Sequence, residues 1–277
     1  MLLLPRSARL AAWGTAVLAH GADAAQAVAA VTRDDEPHEL TAAFEVAATL
    51  GLPPKSGLTD LLTTLSRHGT PSLRVALPAP GDLLGLPGPG DFNATALDAG
   101  ECVLSGAGLD GQGNLTAEAA GPAIGIVPTV TEFGSVYEPG AMVSWQAHAV
   151  GRRRVTDLGS VAEADRELRS ALAEAIEELG RLDVARWRDD AADRVAAIRD
   201  GGLERGMLPP STPPRCVTVL ARAARVRAIV ELAAEDDGAA VSQMEARRRT
   251  EALRRLDGVA RRAMVAAVNG MLEPQND

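Results

Sequence analysis

Lysine is almost missing from this chain: of its 28 basic residues, only Lys55 is not arginine. Aromatic side chains make up 3%, so any core has to rest on Leu, Val, Ile and Ala. The two cysteines, Cys102 and Cys216, lie far apart in different stretches. That spacing excludes a disulfide framework and a cysteine-based metal centre. His20, His38 and His68 stand at no metal-ligand spacing with any partner, and neither a metal nor a cofactor is expected. No stretch reaches the ~20 apolar residues that a membrane-spanning helix needs, so no membrane association is expected.

What the chain does have is length and ordinary apolar content. Its 277 residues are 46% apolar and 23% charged, enough for a substantial core at the border between one domain and two. The net charge of -9 is uneven. Residues 1–150 carry 6 basic and 15 acidic side chains, a net of -9, whereas residues 151–277 carry 22 of each. An anionic first half argues against binding a phosphate backbone there. The second half is dense in charge and balanced, as an exposed helical surface is.

The N-terminus imitates a secretory signal. Arg6 and Arg9 precede a short apolar run, and Ala22-Asp23-Ala24 resembles a cleavage site. Apolar residues nevertheless recur at Leu10, Trp13, Val17, Ala24, Val28 and Val31, straight through the supposed cut. That is helix periodicity, and it favours a cytoplasmic protein over one with a signal peptide at residues 1–24. Residues 5–32 therefore read as one or two helices with a break at Gly21, ended by Asp34-Asp35-Glu36-Pro37. Residues 38–50 suit strand or helix. Residues 57–67 read as a short helix and 73–77 as a strand. Residues 78–90 hold four prolines and four glycines, which rules out regular structure, but their leucines make them too apolar for a free linker. Strands are expected at 101–105, 124–132 and 141–150. Val127, Val130 and Phe133 beside Val143, Trp145 and Ala147 suit a half-buried sheet.

The grammar changes near residue 155. Ser160 and Glu163 have capping-box spacing. Val161, Leu168, Leu172, Ile176 and Leu179 then form one apolar face, and Val184, Trp187, Ala191, Val195 and Ile198 a second. After a proline-rich break, Thr212 can cap a third helix with Pro213 in its first turn. That helix carries the broadest apolar face and should be central. A fourth runs from about residue 241 to 271 and should be on the order of 45 Å long. Six acid–arginine pairs stand four apart in the favoured order, among them Asp165/Arg169, Asp190/Arg194 and Asp257/Arg261. Such pairs support helix and suggest that charges pair along their own helices.

Few motifs carry chemistry. Gly106, Gly108 and Gly111 stand in G-x-G-x-x-G spacing after a strand, the pattern that lets a pyrophosphate approach a helix N-terminus. Gln112-Gly113-Asn114 follows where that helix should begin, so the context is wrong. Residues 110–118 echo a calcium loop, yet placing Gly113 at the obligatory glycine puts Gly108 and Ala119 where key carboxylates belong. Cys102 and His148 both lie on expected strands and could form a thiolate–imidazole pair only within hydrogen-bond reach. Arginine runs occur at residues 152–154 and 247–249, and Arg254 and Arg255 extend the second. Residues 215–262 carry 11 basic and 7 acidic side chains and no aromatic residue, so bases would find nothing to stack on. Nucleic acid is the less favoured partner. A solvated helix face, or a docking face for the acidic first half, fits better, and a partner-binding face would run through Arg247, Arg248, Arg254 and Arg255.

The segment 73–104, with its L-P-A-P-G-D-L-L-G-L-P-G-P-G run at 77–90 and F-N-A-T-A-L-D-A-G-E-C at 92–102, resembles uncharacterised proteins of high-GC actinobacteria. The stretch V-A-R-R-A-M-V-A-A-V-N at 259–269 adds to the resemblance. The prevalence of Arg, Ala, Gly and Pro agrees with a GC-rich genome. The resemblance implies a source and no catalytic activity.

The expected architecture is α+β over residues 1–152, with N-terminal helices on a mostly antiparallel sheet, followed by a helical bundle or long helical hairpin over 153–277. The expected function is that of a non-enzymatic interaction or scaffold protein, whose helical module binds a protein partner or a second copy. The alternatives are a small-ligand or nucleotide-binding protein or enzyme with a site near residues 78–90 and 106–113, and a nucleic-acid factor acting through the last helix.

Overall fold

The computed structural model describes residues 1–53, 55–88, 90–105, 123–135, 138–151, 159–181, 189–235 and 243–272. The chain divides into two compact units. One comprises Pro5–Asp157 with Gly206–Ser211, the other Met1–Leu4, Leu158–Arg205 and Thr212–Asp277.

The first unit is α+β. Helix α1 (Arg6–His20) ends at Gly21, whose φ of 66° is the left-handed conformation that glycine adopts without penalty. Helix α2 (Ala24–Thr32) starts at Asp23, whose side chain accepts from the Gln26 N–H. The ambiguous stretch resolves into both options: strand β1 (Glu39–Ala42), then helix α3 (Phe44–Leu50). Strand β2 (Ser56–Gly57), helix α4 (Leu58–Arg67) and strand β3 (Leu73–Ala76) follow. Residues 78–88 have no regular element and fold back through the Ala79–Asp82 bridge. Helix α5 (Asp91–Ala99), which the sequence pattern does not predict, comes next. Strands β4 (Cys102–Ser105), β5 (Ile124–Gly134) and β6 (Pro139–Ala149) complete the unit.

The sheet order is β2-β1-β6-β5-β4-β3. Only β1 and β6 run parallel, and the other neighbours are antiparallel. Side chains alternate faces along each strand, so the register sorts the core. Helices α1 and α4 cover the face bearing Leu73, Val75, Val103, Ile126, Trp145 and Ala147. Thr15 of α1 both donates to the Leu73 carbonyl and accepts the Leu73 N–H, at 2.9 and 3.0 Å. This supplies backbone partners to β3, an edge strand that would otherwise leave such groups open. Helix α5 covers part of the opposite face, where Phe92 and Ala96 pack with Ala76, Cys102 and Val127.

β5 and β6 outrun their neighbours. β4 pairs with β5 as far as Ile126 and β1 reaches Ser144, but β5 and β6 stay paired to Gly134↔Pro139. The far half of the hairpin is therefore a two-stranded arm. Val127 is buried as expected, whereas Val130 and Phe133 lie on this arm and are exposed.

The second unit is helical: α6 (Val161–Arg181), α7 (Asp189–Asp200), α8 (Pro214–Ala234) and α9 (Gln243–Asn269), with a 3-10 turn at Gly270–Leu272. The capping box forms, with the Glu163 N–H donating to Ser160 Oγ and the Ser160 N–H to Glu163 Oε2. Leu168 is fully buried, but Ile176 is 65% exposed and Ala175 takes the inward position. The side chains of Leu179, Val184, Trp187 and Ala191 lie outside those described. Helix α8 begins one residue later than expected, with Pro213 rather than Thr212 at the cap position. The central helix is α9, not α8. It packs on both α6 and α8. From Val259 onward nearly every side of it is covered, and Ala260, Ala263, Met264 and Ala267 are essentially inaccessible. Arg261 is buried among them, with its Nε donating to Asp257 Oδ2 at 2.9 Å.

The charges also bridge helices rather than pairing only along them. Asp165 meets Arg169 one turn on but also Arg222 of α8. Asp257 holds Arg261 and also Arg227 of α8. Arg194 reaches Glu235 at 2.7 Å. The contacts Arg227–Asp257 and Arg249 to the Ala233 carbonyl set α8 and α9 antiparallel.

Candidate functional site

Cys102 and His148 share a sheet face, but strand β5 separates them. Cys102 stands beside Val127, and His148 opposite Gly125. Two strand spacings amount to about 10 Å, well beyond hydrogen-bond reach. Cys102 is fully buried, and burial pushes its thiol up to about 12, which keeps it protonated. The His148 ring meets the edge of Phe92 at 5.8 Å. Phe92 lies so close over Gly125 that an added Cβ would sit 2.3 Å from the ring. Among the described residues this is a closely packed face on which Cys102 and His148 do not meet. Gly106, Gly108 and Gly111, the calcium-like loop and the arginines at 152–154 lie outside the described residues. Among the described residues, no cluster of His, Cys, Asp or Glu could hold a metal ion.

A polar chain that the sequence did not reveal lies at the other end of the sheet. The loop after α2 is pinned to β6 by the Glu36 N–H on the Ala141 carbonyl at 2.8 Å. This brings Asp35 to the start of α1, where Arg6 donates from Nε and Nη2 at 2.8 and 2.7 Å. Asp35 Oδ2 also lies 3.1 Å from His38 Nε2, and Trp145 Nε1 donates to His38 Nδ1 at 3.1 Å. An indole N–H can only donate, so Nδ1 is bare and the neutral ring carries its proton on Nε2, toward Asp35. Burial lowers the His38 pKa, opposed by Asp35. Burial pushes Asp35 upward, but the hydrogen bonds from Arg6 and His38 outweigh it and hold the carboxyl below its ordinary range. Arg9 stands 4.0 Å from Asp35. Burial brings its guanidinium down to about 10, which leaves it cationic at neutral pH. Both ring nitrogens of His38 are committed and its side chain is fully buried. The chain can fix a tautomer and lock a loop, but it offers no free lone pair to a substrate.

An open cleft of about 450 Å³ adjoins it, between Asp34 and Asp35 on one side and Glu132 and Phe133 of the arm on the other. The sequence contained Asp34-Asp35-Glu36-Pro37-His38 only as a helix stop and a lone histidine. The partner Trp145 stands 107 residues away, and only strand register brings it near.

The first half of α9 presents the other candidate surface. Arg247, Arg248, Arg254 and Arg255 are all exposed, as is Met244, while Ala252, Leu253 and Leu256 face inward. Arg254 lies 3.8 Å from Glu251 in an exposed pair. Arg247 and Arg248 form no ion pair with a described residue. No helix among the described residues is long and apolar enough to cross a membrane.

The N-terminal domain of the Rv1486c-like protein family matches residues 7–158, and the family's C-terminal domain matches residues 162–265. The uncharacterized protein Rv1486c of Mycobacterium tuberculosis is 30% identical over 264 residues, covering 85% of this chain and 86% of that protein. The uncharacterized protein MAV321 of Mycobacterium avium is 28% identical over 308 residues, covering 96% of this chain and 97% of its own length. No solved structure matches the chain. With both domains matched in order, the chain belongs to the Rv1486c-like protein family.

Proposed function

We propose that the protein is a non-enzymatic interaction protein and that the arginine face of α9 binds its protein partner. One observation carries this reading: Arg247, Arg248, Arg254 and Arg255, with Glu251 among them, are exposed on the first half of α9, whose second half is committed to the core. Positions seven apart fall on one side of a helix, so the four act as one surface. Arginine suits such a role because its planar guanidinium binds carboxylates in pairs of hydrogen bonds and stacks on rings. The absence of aromatic residues from 215–262 disfavours nucleic acid. On this reading the protein works in the cytoplasm without a cofactor, and its α+β and helical domains divide near residue 152. The test is affinity capture from the native host with the full-length chain. Arg247→Glu with Arg248→Glu should lose the partner at unchanged Tm, and retention would sink the reading.

The cleft beside Asp35 supports a second reading, that of a ligand binder. Asp34 and Glu132 are exposed acids and Phe133 a half-exposed ring, a combination suited to a small organic cation. A thermal-shift screen of amines and guanidines that gives no stabilisation would remove it.

A further inference from the structure

We infer that the chain pairs with a second copy of itself, the acidic β5–β6 arm of each docking on the α9 arginine face of the other. The inference rests on the α9 reading above and names its partner.

The arm is an unusual surface for a solvated hairpin. Phe133 is 50% exposed and Met142 49%. They share a face, because Phe133 stands opposite Gly140 and Met142 opposite Thr131. The Phe133 ring lies over Gly140, where an added Cβ would come within 2.6 Å. Glu138, which pairs with Ser135, is exposed on the same face, and Glu132 is exposed on the opposite face of the arm. The α9 face is the complement: Met244 is 64% exposed, with Arg247 and Arg248 on the next turn and Arg254 and Arg255 two turns further. Carboxylates meet guanidiniums, a guanidinium can stack on Phe133, and the exposed methionines supply adaptable apolar contact. The segments that hold the two patches differ in charge, with a net of -9 over residues 1–150 and +4 over 215–262, within a second half that is balanced as a whole.

Contact through side chains fits better than strand addition. Thr41 Oγ1 donates to the Trp145 carbonyl, which therefore points toward β1. Trp145 pairs with Pro128, so the Pro128 backbone points away from β6, but Pro128 is buried and the exposed part of β5 begins at Thr129. Glu132 puts a charge on that exposed part, which guards it against pairing with another strand. Each chain carries both patches, so a second copy offers a complement to each.

Sedimentation velocity on the full-length chain tests this. The wild type should dimerise in the micromolar range at low ionic strength and dissociate at about 1 M salt, where the screening length is ~3 Å. Glu132→Arg with Glu138→Arg should be monomeric, and so should Arg247→Glu with Arg248→Glu. Mixed in equal amounts, the two variants should dimerise again, because each restores an attractive contact to the other. A monomeric wild type, a dimer that both variants leave intact, or a mixture that stays monomeric would overturn the proposal. A monomer that still captures a different protein through Arg247 and Arg248 would overturn the pairing and leave the α9 reading standing.

Discussion

His38 is held from both sides, by the Trp145 N–H on Nδ1 and by Asp35 at Nε2. That geometry admits only the neutral ring with its proton on Nε2 and gives stability a pH dependence. In the unfolded chain the ring takes up a proton near its ordinary value of 6.5, in the folded chain at lower pH. The unfolded state therefore binds more protons as pH falls. The contribution of His38 is complete above 6.5 and is lost as pH drops toward the folded value. His38→Gln keeps a donor for Asp35 and an acceptor for Trp145 but cannot titrate. Its Tm should fall less than that of the wild type between about pH 7.5 and pH 5.5, and parallel profiles would refute the assignment. The cysteines give a second residue-level prediction. Cys102 and Cys216 are both fully buried, so a thiol reagent should label neither in the native protein and both after denaturation. Rapid native labelling of Cys102 would contradict its burial. Little of this was legible in the sequence. Cys102 could be read as a small buried residue from its type, but the His38 chain joins residues 6, 35, 38 and 145, which share no local pattern.

Two glycines in helices show how packing decides the sign of one substitution. At Gly14 of α1 an added methyl would sit 2.4 Å from Leu73 Cδ1, and the Leu73 side chain is buried in the core with its backbone held by Thr15. Gly14→Ala should destabilise by about 1–2 kcal/mol, the overpacking exceeding the gain in helix propensity. At Gly258 of α9 the nearest atoms are the tips of Arg262 and Arg261, at 3.6 and 3.7 Å, an ordinary contact. Gly258→Ala should stabilise by about 0.5–1 kcal/mol. Denaturant titrations of both variants check the pair, and equal signs would be contrary to the packing described. On the arm, Phe133→Ser should change stability by less than about 0.5 kcal/mol, because the ring is half exposed. The sequence revealed elements with strong local signals: the capping box at Ser160, the stop at Gly21, and the alternation in β6. It missed α5 because only Phe92 and Ala96 are buried in that short helix, too few to make a period. It overstated Ile176 because helix spacing cannot say which side of a long helix meets a neighbour, and α6 turns Ala175 inward instead.

For the whole molecule, the uneven charge was readable at once, whereas the placement of its parts was not. The excess acid of residues 1–150 includes Asp35 and Glu101, which serve the interior of the α+β unit, and Glu132 and Glu138, which face solvent on the arm. The arginines of the helical unit divide in the same way. Arg222, Arg227 and Arg261 tie helices together or brace them, and Arg247 and Arg248 are left to the surface. Sequence spacing alone cannot distinguish the two groups, since both stand among acids at helical intervals. The central claim is that this second group forms the partner surface. It is tested most directly by quantifying the partner bound by the wild type and by Arg247→Glu with Arg248→Glu, at matched Tm. A loss of about tenfold or more, with strong salt sensitivity in the wild type, is expected for a charge-dependent contact. Equal binding by the two proteins would contradict it.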